Sequence, residues 1–184
     1  MAEIEIKVLG VDIERLKERL ETLGAQFLFQ GKVKCLHFDQ GSFLKDARKL
    51  FRLRRWEGEN DFPSKFEICY KGPKQIIDGC KVREEIETTV ENAQQFEGIV
   101  RGLGFVVTMD NDKRRESYQW GEIHVDIDAY PGVPVYIEIE GPNPAAIDKA
   151  LRELNLTEYE RSTESADELF ERLWPDIDFA HLKF

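Results

Sequence analysis

The feature that most constrains this chain is a set of extended segments in which every second residue is charged. Residues 3–7 read E-I-E-I-K. In a strand, alternate side chains face opposite sides, so Glu3, Glu5 and Lys7 form one row, and Ile4, Ile6 and Val8 form the other. A single such strand is an ordinary solvated face. Here the pattern recurs along the chain. KLFRLRRW sets Arg52 and Arg54 against Phe51 and Leu53, and KFEICYK sets Lys65, Glu67, Cys69 and Lys71 against Phe66, Ile68 and Tyr70. KVREEIETTV separates Lys81, Arg83, Glu85 and Glu87 from Val82, Ile86 and Val90. DKRRESYQW puts Lys113 and Arg115 opposite Tyr118 and Trp120. EIHVDIDAY and VYIEIEG set Glu122, His124, Asp126, Asp128, Tyr136, Glu138 and Glu140 against Ile and Val.

Strands are expected at 2–9, 33–40, 49–57, 65–71, 81–90, 105–109, 112–120, 122–129 and 134–140. Four helices are expected from apolar spacing. These are VDIERLKERLETLG, ENAQQFEGIVRGLG (with Phe96, Ile99, Val100 and Leu103 as its stripe), NPAAIDKALRELN and STESADELFERLW, the last capped at Ser162 or Thr163. About eight antiparallel strands can close into a barrel, with one face pointing inward. The helices need an apolar surface to cover, and the Ile/Val/Phe/Leu rows supply it. The charged rows would then line the interior of a closed α+β barrel. Alternation alone leaves an open sheet with a solvated face as the other arrangement.

Burying many charges without a guest costs several kcal/mol per uncompensated ion, on the order given by measured buried pairs. Such a lumen makes sense if it is wet and built for a charged ligand. Arg and Lys suit a polyanion, Glu and Asp suit hard divalent cations, and together they suit a metal-complexed polyphosphate. The net charge of −10 over 184 residues argues against a nucleic-acid partner. No apolar run reaches the length of a membrane span, and three cysteines without metal-type spacing read as reduced thiols, so a cytoplasmic location and no membrane partner are expected. One domain over 1–184 is expected, with the C-terminal helix and tail at about 162–184 packed on the barrel or on the partner in a homodimer.

In this order and on this parity, the motifs resemble the CYTH domain, also called the triphosphate tunnel metalloenzymes. This family includes class IV adenylyl cyclases, thiamine triphosphatases and inorganic triphosphatases. The resemblance spans roughly residues 3–170. Its E-x-E-x-K signature falls on Glu3, Glu5 and Lys7. Its Y-F-D appears as His37-Phe38-Asp39, a departure at the first position. R-x-R is Arg52 and Arg54, Y-K-G-P is Tyr70 to Pro73, and R-E-E-x-E is Arg83 to Glu87. K-x-R is Lys113 and Arg115, the late acidic strand matches Asp128, and E-x-E is Glu138 and Glu140. In local style the chain is most similar to the class IV adenylyl cyclase-like branch.

The resemblance implies a closed eight-stranded antiparallel barrel with a triphosphate along its axis. Arg52, Arg54, Lys71, Lys113 and Arg115 would hold the phosphates, assisted by Lys7 and Arg83. Glu3, Glu5, Glu85, Asp128, Glu138 and Glu140 would hold one or two Mg²⁺ or Mn²⁺ ions. Glu5, Glu85 and Lys71 form the implied catalytic set. The implied ligands are tripolyphosphate, ATP or thiamine triphosphate. The reaction would be hydrolysis of the triphosphate, or cyclisation of ATP to cyclic AMP and pyrophosphate. A binding module without chemistry is the reading from another class. Beside these residues, Trp56 is expected as an aromatic cap or a ring-stacking platform, Tyr136 as a structural hydrogen-bonding residue, and His37 and His124 as structural.

Overall fold

The computed structural model describes residues 2–184. Its strands close into a ring. Strand β1 (Ala2–Leu9) pairs through residues 5–9 with β9 (Tyr136–Glu140). The order continues through β8 (Ile123–Ala129), β7 (Val106–Trp120), β2 (Gln26–Asp39), β3 (Leu50–Gly58), β4 (Lys65–Lys71) and β6 (Cys80–Val90). Residues 2–5 of β1 then pair with β6 and close the barrel, with every pairing antiparallel. Short strands β5 (Gln75–Ile77) and β10 (Glu160–Ser162) add to β6 and β1.

Closure settles which way the rows face. The apolar rows point outward and are covered by helices. Under α1 (Ile13–Thr22) and α4 (Pro144–Glu153), the residues Val8, Leu20, Val125, Ile137, Ile139, Ile147 and Leu151 form the main core. Under α3 (Ala93–Gly102), Phe38, Leu53 and Val100 form a second core. Helix α2 is a single turn (Phe43–Asp46) tied down by Asp39, whose carboxylate accepts from the Leu44 and Lys45 N–H groups. Burying these faces supplies the main stabilisation, at about 25 cal/mol per Å² of apolar surface. The helix starts are capped by side chains: Asp12, Asn92 and Asn143 each accept a backbone N–H of the first turn.

Several elements differ from the sequence expectation. The segments 105–109 and 112–120, expected as separate strands, are one strand, β7, running unbroken through Asn111 and Asp112. Both residues are buried and held by the C-terminal tail, where the Asp112 N–H donates to Leu182 O (2.8 Å) and the Asn111 amide donates to Phe179 O (3.0 Å). Helix α5 (Ala166–Leu173) starts at Ser165, not at Ser162 or Thr163. Ser162 is in β10, and Ser165 forms a reciprocal capping box with Glu168. In α3 only Val100 of the expected stripe is fully buried, and Ile99 and Leu103 lie on the solvent side.

Leu169 and Phe170 of α5 pack with Tyr130 and Tyr136, and Trp174, Ile177, Phe179 and Leu182 of the tail join them. The tail therefore lies across one end of the barrel, with Lys183 paired to Asp110 and Asp112.

Candidate active site: a charged tunnel

Register places the inward row side by side around the ring. Glu5 faces Glu140 across β1–β9, Glu140 faces His124, and Glu5 faces Lys81 across the closing seam. One layer along, Lys7 faces Glu138, Glu138 faces Asp126, and Asp126 faces Ser117. On the other wall, Arg52 lies between His37 and Cys69, and Arg54 lies between Cys35 and Glu67. Glu85 and Lys71 are paired on β6 and β4, and Glu3 faces Arg83.

These rows enclose a cavity of about 940 Å³. Nine Lys/Arg and ten Asp/Glu side chains line it, so the lumen is nearly neutral although it is densely charged. Every expected site residue lines it except Asp128. Its carboxylate is completely buried and accepts from Lys113 Nζ (2.6 Å) and, bidentate, from Arg115 Nε and Nη2 (both 2.6 Å). The sequence expectation of Asp128 among the metal ligands is met here by a different arrangement: this residue holds two of the cations from behind.

The remaining charges are interleaved. Lys7 contacts Glu138 (2.9 Å) and Glu5 (3.3 Å), and Lys81 also contacts Glu5. Lys71 contacts Glu3 (2.7 Å) and Glu85, and Arg115 reaches Glu138 (2.7 Å) and Asp126. Arg54 is held by Glu67 and Glu87. The Arg83 Nε donates to Gly72 O and its Nη2 to Arg48 O (3.2 Å), which ties the Y-K-G-P loop to β6. Lys81 and Glu67 were absent from the expected site; both share the inward parity of Arg83 and Lys71, and that parity was the signal.

The pairing shifts the titrations. Burial would raise Glu138, but Lys7, Lys113 and Arg115 hold its carboxyl well below the usual range. Burial likewise opposes ionisation of Glu5, and Lys7 and Lys81 outweigh it, lowering its pKa. Burial, with Arg52, Arg54, Lys71 and Arg83 around it, lowers His37 to about 3, so this imidazole is neutral at ordinary pH. Burial pushes the Cys69 thiol up to about 12, and it donates to Glu85 (2.8 Å).

Glu140 behaves oppositely. Burial, reinforced by the charges of Glu3, Glu5 and Glu85, raises it to about 7. Burial is the larger cause and the neighbouring carboxylates the smaller, and a cation beside Glu140 would oppose both. Glu3, Glu5, Glu138 and Glu140 carry oxygen donors of the type a hard cation such as Mg²⁺ or Mn²⁺ prefers, spread along the lumen wall. Cys69, Glu85 and Glu87 also bring ligand atoms within 4.8 Å of one another.

Buried donors without acceptors complete the picture. Among the described residues, the donors Arg52 Nε, Arg54 Nε, Trp56 Nε1 and the Tyr136 hydroxyl, and one acceptor, Glu67 Oε1, have no hydrogen-bond partner, and all five residues line the cavity. The expected structural hydrogen bond of Tyr136 is not made. A buried unsatisfied donor costs about 1–3 kcal/mol, so four around one cavity point to acceptor oxygens supplied by a ligand. Trp56 is 8% exposed, packs edge-on to Phe29 (centroids 5.0 Å), and carries Arg54 and Lys65 within 5.1 and 4.8 Å of its ring. It is an aromatic cap.

The structure is thus a closed antiparallel barrel whose lumen alternates cations with carboxylates and whose outside is covered by helices. The sequence matches the CYTH domain over residues 1–170, and the chain belongs to that family. A Methanocaldococcus jannaschii protein named "Putative adenylate cyclase MJ0240" is 32% identical over 143 residues, covering 76% of this chain and 77% of that protein. Among solved structures, the PH1012 protein of Pyrococcus horikoshii is 27% identical with a TM-score of 0.70, covering 91% of this chain and 98% of that one. The PH1819 protein of the same organism has a TM-score of 0.75 at 22% identity, covering 92% and 98%, and shares the fold.

Proposed function

We propose that this chain is a divalent-metal-dependent phosphohydrolase acting on the triphosphate group of an inorganic or organic triphosphate. The observation that carries this reading is the set of orphaned donors in a lumen whose fixed charges already balance. A bare polyanion would unbalance such a lumen. A triphosphate carrying its own divalent cations would not, and its oxygens would satisfy the orphaned donors.

In this reading Arg52, Arg54, Lys113 and Arg115 bind the phosphoryl oxygens, with the guanidinium groups suited to bidentate contact. Lys7 and Arg83 add charge at their own layers, and Asp128 keeps Lys113 and Arg115 aimed. Glu3, Glu5, Glu138 and Glu140, with Glu85, are the carboxylates that would hold one or two Mg²⁺ or Mn²⁺ ions. A bound ion supplies charge neutralisation and a more acidic water. Glu5 takes the proton of the attacking water as its oxygen bonds to the terminal phosphorus, while Glu85 holds Lys71 in place. The bond from that phosphorus to the bridging oxygen breaks, and Lys71, between Glu3 and Glu85, donates to the departing diphosphate. Positioning and electrostatics do most of the work in such a transfer.

The alternative is cyclisation of ATP, favoured by the name of the Methanocaldococcus relative. That reaction needs a grip on adenine. Among the described residues, the lumen aromatics are already engaged: Trp56 by Arg54, Lys65 and Phe29, and Tyr130, Tyr136 and Phe179 by one another and the tail. Hydrolysis needs only water, and it is the leading reading.

Two expectations test this site. Arg54→Ala should weaken tripolyphosphate binding by tenfold or more in calorimetry, since a charge-assisted hydrogen bond is worth about 1.5–3 kcal/mol; unchanged affinity would remove the tunnel from the account. Metal binding should also tighten between pH 6 and 8. Glu140 must lose its proton to accept a cation, and its pKa is raised to about 7. By the same sign, the metal-free protein should lose stability as pH rises from the ordinary glutamate range through 7, because the folded form holds that proton more tightly. Mn²⁺ titrations at pH 6 and 8 check this, and pH-independent affinity contradicts it.

A further inference from the structure

We infer that the Tyr136 hydroxyl is a ligand-binding donor at the blind end of the tunnel, contacting the terminal phosphoryl group of a triphosphate that enters phosphate end first; this rests on the triphosphate reading above. Tyr136 opens β9, two residues before Glu138 on the inward row, and pairs with Leu9 on β1 and Asp128 on β8. It is 1% exposed and stacks on Tyr130, with ring centroids 6.2 Å apart and planes at 18°. Phe170 and Phe179 close around Tyr130 from α5 and the tail. An aromatic plug of this kind needs rings, and it has no use for a hydroxyl.

The hydroxyl is buried and has no hydrogen-bond partner. The neighbouring acceptors are already occupied: Glu138 takes Lys7 and Arg115, and Asp128 takes Lys113 and Arg115. Among the described residues the hydroxyl therefore has no acceptor, and a ligand oxygen in the lumen would supply one. Lys7 Nζ lies 6.0 Å from the ring centroid, and the Glu138 and Asp128 carboxylates that also flank the phenol are each paired with two cations, so an anionic oxygen can approach. A phenol is un-ionised at neutral pH, so the hydroxyl is a donor. Because the plug blocks this end, an organic group on the ligand has to remain toward the open mouth. The group that reaches Tyr136 is the one that all triphosphates share.

The test is calorimetric binding of the non-hydrolysable bis(methylene) analogue of tripolyphosphate with Mg²⁺ to wild type, Tyr136→Phe and Arg54→Ala, with a thermal melt of each. Tyr136→Phe should bind about tenfold more weakly and melt no lower than wild type, since the ring that packs is kept. Unchanged affinity in Tyr136→Phe, with affinity lost in Arg54→Ala, overturns the inference and leaves the tunnel reading standing. A lower melting temperature in Tyr136→Phe makes the hydroxyl structural and also overturns it. If neither variant changes affinity, the triphosphate reading itself falls.

Discussion

Glu138→Gln should lower metal-dependent tripolyphosphate turnover by a factor of about 10²–10³ and leave the fold intact, the scale seen when one preorganised electrostatic group is removed from a site. First, Glu138 is held ionised by Lys7, Lys113 and Arg115, so a full carboxylate charge faces the lumen at neutral pH. Glutamine keeps the shape and loses the charge a hard cation requires. Second, the cations it leaves behind are not stranded. Lys7 keeps Glu5, and Arg115 keeps Asp126 and Asp128. Turnover assays in Mg²⁺ and Mn²⁺, with Mn²⁺ affinity and a thermal melt, separate these effects. Full turnover in the variant would remove Glu138 from the metal set.

Asp128→Ala should have the largest effect on stability, a loss of about 3–5 kcal/mol, the range for breaking a buried ion pair from one side. Lys113 would lose its ion-pair partner, and Arg115 would lose its bidentate one. Against a total stability of about 5–15 kcal/mol, that is a large fraction of the protein's margin. For a chain of this size each kcal/mol moves the melting temperature by about 2–4 °C, so a fall near ten degrees is expected. The double change Lys113→Met with Asp128→Leu should recover part of the loss, because it leaves no unpaired lysine. An unchanged melting temperature for Asp128→Ala would show that its carboxylate is dispensable to the fold and free for the metal role first expected of it.

The contrast between these two acids shows what the sequence could reveal. The inward row is legible because strand parity has period two, and Arg52, Lys71, Arg83, Lys113 and Glu138 all face the cavity on the parity read from the sequence. Parity does not tell an acid that faces a ligand from one that lies behind two cations. The difference between Glu138 and Asp128 is set by depth along the barrel and by the tail crossing that end. Lys81 stands on the inward parity too, but it lies just ahead of the R-E-E-x-E motif, and only the closing β1–β6 register sets it against Glu5. That closure joins segments some eighty residues apart, a pairing no local pattern encodes.

Helix α3 shows the limit of periodicity. Phe96, Ile99, Val100 and Leu103 form a credible stripe, yet the helix is rotated so that Ile99 and Leu103 face solvent. Its short contact with β2 and β3 needs only Phe96 and Val100. The expected break between 109 and 112 does not occur, and the tail, distant in sequence, supplies partners to Asn111 and Asp112 there.

The measurement that tests the central claim most directly is phosphorus NMR of the wild-type protein incubated separately with tripolyphosphate and with ATP, in Mg²⁺, in Mn²⁺ and in a chelator. The account predicts orthophosphate and diphosphate from tripolyphosphate in either metal, none in the chelator, and no cyclic AMP from ATP. Tripolyphosphate left intact in both metals, or cyclic AMP and pyrophosphate from ATP, would contradict it.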